Sequence, residues 1–281
     1  ILVIDNFLTG KKENIEFKGN FELIEDDFGN KNSLNLIKEF NPQICFHLAA
    51  QSSVVVSVND PLLDFEHNIL QPVQLMNTLL STDCRKFVFT SSGGTIFGEP
   101  SILPTGEEDF AGEPESPYGI GKKKLNEIIT SMTINKHLSY SILNLSNVYG
   151  PRQDPYGEAG VVSIFSNKIL KNEKPIIYGD GEQTRDYIYV KDVVNALILS
   201  SKIDSNLFLN IGTGIETSVN QLLETIKSEF ASDVEPIYKE SRKGELLRSV
   251  LNSSKAQKEL NWESQFSLNK GIKEVVGWLK T

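Results

Sequence analysis

Over its first 150 residues the chain alternates short apolar runs with longer helical patterns, and few architectures accept that order. The strand-like runs are Ile1–Ile4, Phe21–Glu25, Ile44–Leu48, Phe87–Ser91 and Tyr140–Leu145. The helical patterns cover Ser33–Phe40, Pro61–Leu80 and Tyr118–Lys136. Strands separated by helices pair in parallel, because a parallel neighbour needs a crossover, and the helices then cover both faces of the sheet. The pattern therefore predicts an α/β fold with a doubly wound parallel sheet. Two of the helices carry clear start signals. Asn59 or Asp60 caps a helix with Pro61 at its first position, and Ser116-Pro117 leads into the stretch beginning at Tyr118.

After Gly150 the texture changes. GPRQDPYGEAG is rich in Gly and Pro and reads as loop. A helix over Val161–Leu170 follows, then strands at Pro175–Tyr178 and Tyr187–Val190 around the turn GDGEQT. Next come a helix at Asp192–Ser201, a strand at Asn206–Ile211 and a helix at Thr217–Phe230 with Thr217 or Ser218 as its cap. Two further helices, Ser253–Leu260 and Leu268–Lys280, close the chain. The expected organisation is a main domain over 1–150 and a smaller α/β lobe over 151–281, with about 186–212 returning to the main sheet. In such folds ligands sit at the carboxyl ends of the parallel strands. Asp5, Asp27, Ala49, Ala50, Ser91 and Ser92 all fall there.

Composition excludes several classes. A net charge of −9 argues against a general nucleic-acid surface, which needs a basic stripe. No apolar run approaches ~20 residues, so no membrane span is expected. The first residues lack a basic start and a long apolar core, so they do not read as a signal peptide. Cys45 and Cys84 lie in or beside strand-like segments and read as reduced core residues of a cytosolic protein. The three histidines, His47, His67 and His137, are scattered, and no metal-ligand cluster is visible. Of the five arginines, Arg152, Arg185, Arg242 and Arg248 lie in loop-like surroundings of the second half. A guanidinium there suits a phosphate as well as it suits a surface ion pair.

The segment YGIGK places Tyr118 and Lys122 four residues apart on one helix face. A cation beside a phenol favours the phenolate, pulling it from its ordinary pKa of ~10 toward working pH. A hydroxyl from Ser91 or Ser92 in FTSSGGT can share the same substrate oxygen. Together these are parts for taking a proton from an alcohol while hydride leaves its carbon. Any amphipathic helix can carry Tyr and Lys at this spacing, so the motif needs the rest of the chain.

A nucleotide-binding fold of this kind opens with a strand and a glycine-rich turn into a helix. This chain begins instead at ILVIDN. Asp5 fits the acidic residue that closes the following strand and bonds the adenosine ribose. The chain therefore reads as starting at the second strand, with the first strand, its glycine loop and roughly 30 residues absent upstream.

These residues resemble the extended short-chain dehydrogenase/reductase family, in its NAD-dependent epimerase/dehydratase group, and within it the UDP-hexose 4-epimerases. The resemblance spans essentially the whole chain. It rests most heavily on YGDGEQTRDYIYVKDV and NVYGPRQ. It implies a Rossmann-like domain that binds NAD. VIDNFLTG puts Asp5, Asn6 and Gly10 around the adenosine, and EDDF puts Asp27 and Phe28 at the adenine. FHLAAQ places Leu48, Ala49 and Ala50 beneath the cofactor with Ser52 near it. Asn68 supports the cofactor loop, Leu145 contributes a cofactor contact, and Tyr118 and Lys122 touch the nicotinamide end. For the substrate, the resemblance implies Ser92, Asn147, Val161, Tyr178, Arg185, Arg242, Glu245 and Ser249.

Departures from the family pattern carry information. SSGGTIFG is one residue longer than the shorter family form. Aligning from Phe97 puts Gly93 at the catalytic hydroxyl, whereas aligning from the strand puts Ser92 there. Ser91 and Thr95 are the other hydroxyls in the segment. Leu145 and Phe97 stand where many relatives carry tyrosine. Gly93 and Gly94 replace the Asp-Glu pair of the 4,6-dehydratases, which disfavours dehydration.

The implied activity is 4-epimerisation of UDP-hexoses through transient oxidation at C4, with Ser92, Tyr118 and Lys122 as the catalytic residues. Ser249, placed by counting back from NSSKA, is small, so UDP-GlcNAc and UDP-GalNAc should enter alongside UDP-glucose and UDP-galactose. A UDP-glucuronate epimerase or decarboxylase shares most of these motifs and wants an extra cation near C6. A catalytically inactive nucleotide-binding homologue is the remaining alternative. Relatives dimerise through two long helices per subunit, here Pro61–Leu80 and Tyr118–Lys136, so a cytoplasmic homodimer built on a four-helix bundle is expected.

Overall fold

A computed structural model describes all residues except 17–18, 110–111, 157–159 and 243–245. The chain forms two compact units, each assembled from separated segments. The first comprises Ile1–Ser91, Ser116–Ile142 and Ser200–Leu207, and the second Ser92–Glu115, Leu143–Leu199 and Phe208–Thr281.

In the first unit, β1 (Leu2–Asp5) and β2 (Glu22–Glu25) pair in parallel, Leu2 opposite Glu22. Helix α1 (Lys31–Phe40) follows, and β3 (Ile44–His47) pairs in parallel with β4 (Lys86–Ser92), Ile44 opposite Lys86. Between them run α2 (Val54–Asn59), α3 (Pro61–Phe65) and α4 (Gln71–Leu79). Helix α5 (Pro117–Met132) leads into β5 (Ser139–Leu145). Helices α2, α3 and α4 all pack on α5. The α/β alternation expected from the sequence is present, and the sheet is parallel where these strands pair.

Three differences from the sequence reading have physical causes. The run Pro61–Leu80 is not one regular helix: α3 and α4 are joined by a π turn at Glu66–Leu70. Pro72 cannot donate to the carbonyl of Asn68 and its ring crowds that carbonyl, so the wider turn absorbs the misfit. The second long helix ends at Met132 rather than Lys136. There Thr133 bonds back to the carbonyls of Ile129 and Thr130, and Asn135 turns left-handed at φ 55°. Helix α2 escaped the sequence reading, because VVVSVN has β-branched residues that favour strands. It forms through Ser53, whose hydroxyl accepts from Val56 N, and Ser57, whose hydroxyl donates to Val54 O.

The second unit contains β6 (Asn147–Tyr149), α6 (Val161–Leu170), β7 (Ile176–Tyr178), β8 (Thr184–Arg185), β9 (Tyr187–Tyr189), α7 (Val190–Ser200) and β10 (Leu207–Ile211). It continues with β11 (Thr217–Ser218), α8 (Val219–Phe230), β12 (Ile237–Lys239), β13 (Arg248–Ser249), α9 (Ser254–Leu260) and α10 (Leu268–Leu279). Strand order in the largest sheet is β10-β5-β4-β3. β6 pairs with β9 in parallel, and β8 is the centre of a β11-β8-β13 sheet. Helices α6, α8 and α10 bury Phe165, Leu222, Ile226, Ile272 and Val275 in one core with Tyr149, Tyr187 and Tyr189. Ser218, not Thr217, caps α8, in a reciprocal capping box with Gln221. Among the described residues no helix is long and apolar enough to cross a membrane.

Candidate active site

In the first unit, the polar residues at the ends of β1 and β2 organise one another. Asp5 Oδ1 accepts from Phe7 N at 2.8 Å, and Asn6 Oδ1 accepts from Leu8 N at 3.0 Å. Asn6 Nδ2 donates to Asp27 Oδ2 at 3.3 Å, while Asp27 Oδ1 takes Gly29 N at 2.9 Å. Gly10 lies beside Asp5: a Cβ there would sit 3.7 Å from both carboxylate oxygens. Phe28 meets the His47 ring edge-on at 4.8 Å. Asp5, Asn6, Gly10, Asp27 and Phe28 thus gather at the strand ends.

At the end of β3, Leu48, Ala49 and Ala50 are exposed, as is Ser52. Asn68 sits in the π turn, 1% exposed, and its Nδ2 donates to Gln51 O at 2.8 Å. Its Oδ1 is buried and has no partner among the described residues. An acidic strand end, an exposed apolar step at 48–50 and an orphaned buried amide oxygen fit an adenine dinucleotide. Asp5 would accept from a ribose hydroxyl there, and Leu48–Ala50 would lie against the cofactor.

Helix α5 starts at Ser116, whose hydroxyl accepts from Gly119 N at 3.1 Å, and Ser57 Oγ accepts from Tyr118 N at 3.2 Å. These two contacts fix the first turn. One turn on, Lys122 is 3% exposed. Its Nζ donates to Thr90 O at 3.2 Å, lies 4.7 Å from the Phe89 ring centre and 5.8 Å from that of Tyr118. Burial pushes its pKa down to about 8, an effect that the charge of Asp64 opposes. An ammonium has three donors, and the Thr90 bond uses one. Burial, reinforced by the Lys122 charge, holds His47 neutral, with its pKa down at about 3. Phe89 and Thr90 were not singled out in the sequence, although they belong to the strand that carries Ser91 and Ser92.

In the second unit, the backbone after Ser92 turns tightly. Thr95 N and Ile96 N both donate to Ser92 O, and Gly93 N donates to Leu145 O at 2.8 Å. Ser92 is partly exposed, whereas the Ser91 and Thr95 hydroxyl oxygens are buried without a partner among the described residues. A Cβ at Gly93 would lie 2.4 Å from Leu251 Cδ1. One at Gly94 would meet only Asn147 Oδ1 at 3.7 Å and Ser249 Oγ at 3.9 Å. Gly94, Asn147 and Ser249 therefore border one space. Asn147 and Val161 also share a small cavity with Gln153 and Tyr187.

Ser249 pairs in register with Arg185 across β13 and β8, and Arg185 Nη1 donates to Thr184 O. The Arg242 guanidinium lies 4.1 Å over the Tyr178 ring. Glu245 lies outside the described residues. Asp186 was missed: it is 1% exposed and its carboxylate accepts from Thr213 N, Thr213 Oγ1, Gly214 N and Leu251 N. Its position inside the DYIYV run was the available signal. Among the described residues no group of His, Cys, Asp and Glu could hold a metal ion.

Comparison with known proteins places the chain in a family. The family model described as GDP-mannose 4,6 dehydratase matches residues 4–275. The UDP-glucose 4-epimerase of Thermotoga maritima, solved with UDP-glucose, superposes with a TM-score of 0.95 at 41% identity over 99% of this chain and 90% of that one. The Thermus thermophilus UDP-glucose 4-epimerase, solved with NAD, gives 0.91 at 34% identity, with the same coverage. A UDP-N-acetylglucosamine 4-epimerase from Methanobrevibacter ruminantium, in complex with UDP-N-acetylmuramic acid, gives 0.92 at 32% identity, again over 99% and 90%. With its parallel α/β fold and these matches along nearly its whole length, the chain belongs to the NAD-dependent epimerase/dehydratase family of the extended short-chain dehydrogenases/reductases.

Proposed function

We propose that this protein is an NAD-dependent 4-epimerase of UDP-hexoses. The observation that carries the reading is the buried Lys122 ammonium, anchored to Thr90 O one turn from Tyr118 on the strand that ends in Ser92. Tyr118, as phenolate, takes the proton of the sugar 4-hydroxyl, and Lys122 stabilises that phenolate and holds a ribose hydroxyl. Ser92 donates to the same sugar oxygen; its partial exposure and the steric closure of position 93 support it over Ser91 and Gly93. NAD, when bound against Asp5 and Leu48–Ala50, would supply the hydride acceptor and donor that transient oxidation at C4 requires. Arg185 and Arg242 grip the diphosphate, Tyr178 lies at the uracil and Asn147 on the sugar, so the oxidised sugar turns over without leaving.

The space bordered by Gly94 and Ser249 supports a pocket that admits an N-acetyl group. The exposed apolar side chains Val58, Leu62, Phe65 and Leu70 on the α2–α4 run and Ile120 on α5 support a homodimer through these helices. We place the enzyme in the cytoplasm, on its reduced cysteines and nucleotide-sugar substrate.

Proton NMR of the anomeric region tests the reading. Purified protein incubated with UDP-glucose, and separately with UDP-GlcNAc, should interconvert both epimer pairs, and Tyr118→Phe should lose about 10²–10⁴-fold in turnover. Near-normal turnover by Tyr118→Phe refutes the catalytic assignment. No change with either sugar, together with conversion of UDP-glucuronate in a third incubation, moves the enzyme to the acidic-sugar branch.

A further inference from the structure

Asp64 is a buried carboxylate that this mechanism leaves unused. It lies on α3 and is 2% exposed. Its Oδ1 accepts from Gln51 Nε2 at 2.7 Å and from Asn68 Nδ2 at 2.8 Å. Gln51 Nε2 also donates to Ser53 O at 2.9 Å, so the loop after β3 holds one side of the carboxylate. The other oxygen faces α5: a Cβ at Gly121 would lie 3.5 Å from Asp64 Oδ2. A glycine at 121 thus admits the carboxylate to the helix surface at the residue before Lys122. Gln51 and Asn68 are neutral, and a carboxylate buried on neutral donors alone is costly.

We propose that Asp64 is a positioning residue for the Tyr118–Lys122 pair: a fixed anion on α3 whose second carboxylate oxygen faces α5 at Gly121 and whose charge favours the ammonium form of the neighbouring Lys122. It acts on Lys122 and touches neither substrate nor cofactor. Its consequence for turnover rests on the epimerase reading, but its effect on Lys122 does not.

The groups around Lys122 are Thr90 O and the Phe89 ring from β4, Tyr118 from its own helix, His47 from β3 and Asp64 from α3. Those acting on Asp64 are Gln51, Asn68, Lys122 and His67. Burial raises the Asp64 pKa and lowers that of Lys122, and their mutual attraction opposes both shifts. The sign follows: without the carboxylate, Lys122 loses the influence that raises it and titrates below about 8.

Asp64→Asn keeps an oxygen for Gln51 and Asn68 and removes only the charge. In protein labelled with ¹³C-lysine, the Lys122 Cε signal, assigned by its loss in Lys122→Arg, is followed through alkaline pH. The midpoint should fall by about one pH unit in Asp64→Asn, and the alkaline limb of kcat should move down with it while KM for UDP-glucose holds. An unchanged Lys122 midpoint overturns the proposal, whatever the turnover. Absence of epimerase activity in the parent would sink the functional reading and leave the titration to decide this one. If Asp64→Asn does not fold, the Asp64 carboxyl ¹³C signal of the parent decides: it should show a second inflection at the Lys122 midpoint, and a single inflection overturns the proposal.

Discussion

Alanine at Gly93 and at Gly94 should behave oppositely, although the two glycines are adjacent. At Gly93 a Cβ would lie 2.4 Å from Leu251 Cδ1, 3.1 Å from Cδ2 and 3.2 Å from Asn144 O. Leu251 is 1% exposed and packed against Ile96 and Phe97, with Phe208 beside them. It cannot swing away, and the backbone oxygen cannot yield without shifting β5. Forcing a methyl into such a site costs about 1–3 kcal/mol. At Gly94 the nearest atoms stand at 3.7 and 3.9 Å, which is ordinary contact. Neither glycine adopts a left-handed φ, so alanine is conformationally allowed at both. Gly94→Ala should therefore stay within about 0.5 kcal/mol of the parent.

Urea denaturation followed by circular dichroism measures both variants. Leu251→Ala removes the clashing carbons, so Gly93→Ala and Leu251→Ala together should cost less than the sum of the two alone. Equal stability of Gly93→Ala and parent, an equal loss at both positions, or strict additivity with Leu251→Ala would each refute the packing argument. The result also bears on catalysis, since a position that excludes a Cβ cannot have carried the hydroxyl.

Three further outcomes are expected. Ser249→Tyr, placed where Ser249 Oγ borders the Gly94 space, should abolish turnover of the N-acetyl sugars and keep that of UDP-glucose; coupled assays on both substrates check it, and retained N-acetyl turnover refutes it. Glu216, held by Arg248 and by Thr184 Oγ1, has its pKa lowered on folding, chiefly by the Arg248 hydrogen bond. Its contribution is therefore complete above the unfolded value of ~4.3 and disappears as pH falls through the lower folded value. Glu216→Gln should flatten that acid dependence in thermal melts. Ser218→Ala removes the capping box of α8 and should cost about 0.5–2 kcal/mol, read from the urea midpoint.

Most of the parallel architecture was legible because the pattern of apolar runs carries it. β4, β5 and α6 announce themselves by apolar-rich runs between turn signals, and Pro61 and Pro117 mark helix starts. What was not legible depends on particular hydrogen bonds and steric contacts that the apolar pattern does not carry. The valines of α2 look like strand until Ser53 and Ser57 supply local hydrogen bonds. The π turn at Asn68 comes from Pro72, four residues away. For the candidate site, Tyr118 and Lys122 stood out because one helical turn places them together. Asp64 did not, because its role depends on Gln51 and Gly121, from other parts of the chain, as well as on Asn68 one turn away. Asp186 hid beside Arg185, since nothing in the sequence says that four donors converge on it.

The chain changes unit five times, at 91/92, 115/116, 142/143, 199/200 and 207/208. A ribosome therefore releases the first unit incomplete until its last segment, Ser200–Leu207, has emerged. No single cut can liberate either unit as a continuous fragment. Division at residue 150 would part β6 from its partner β9, and β5 from β10. Strands deprived of their partners expose unpaired edges that invite aggregation. Complementation from two fragments, rather than independent folding of halves, is the behaviour such interleaving imposes.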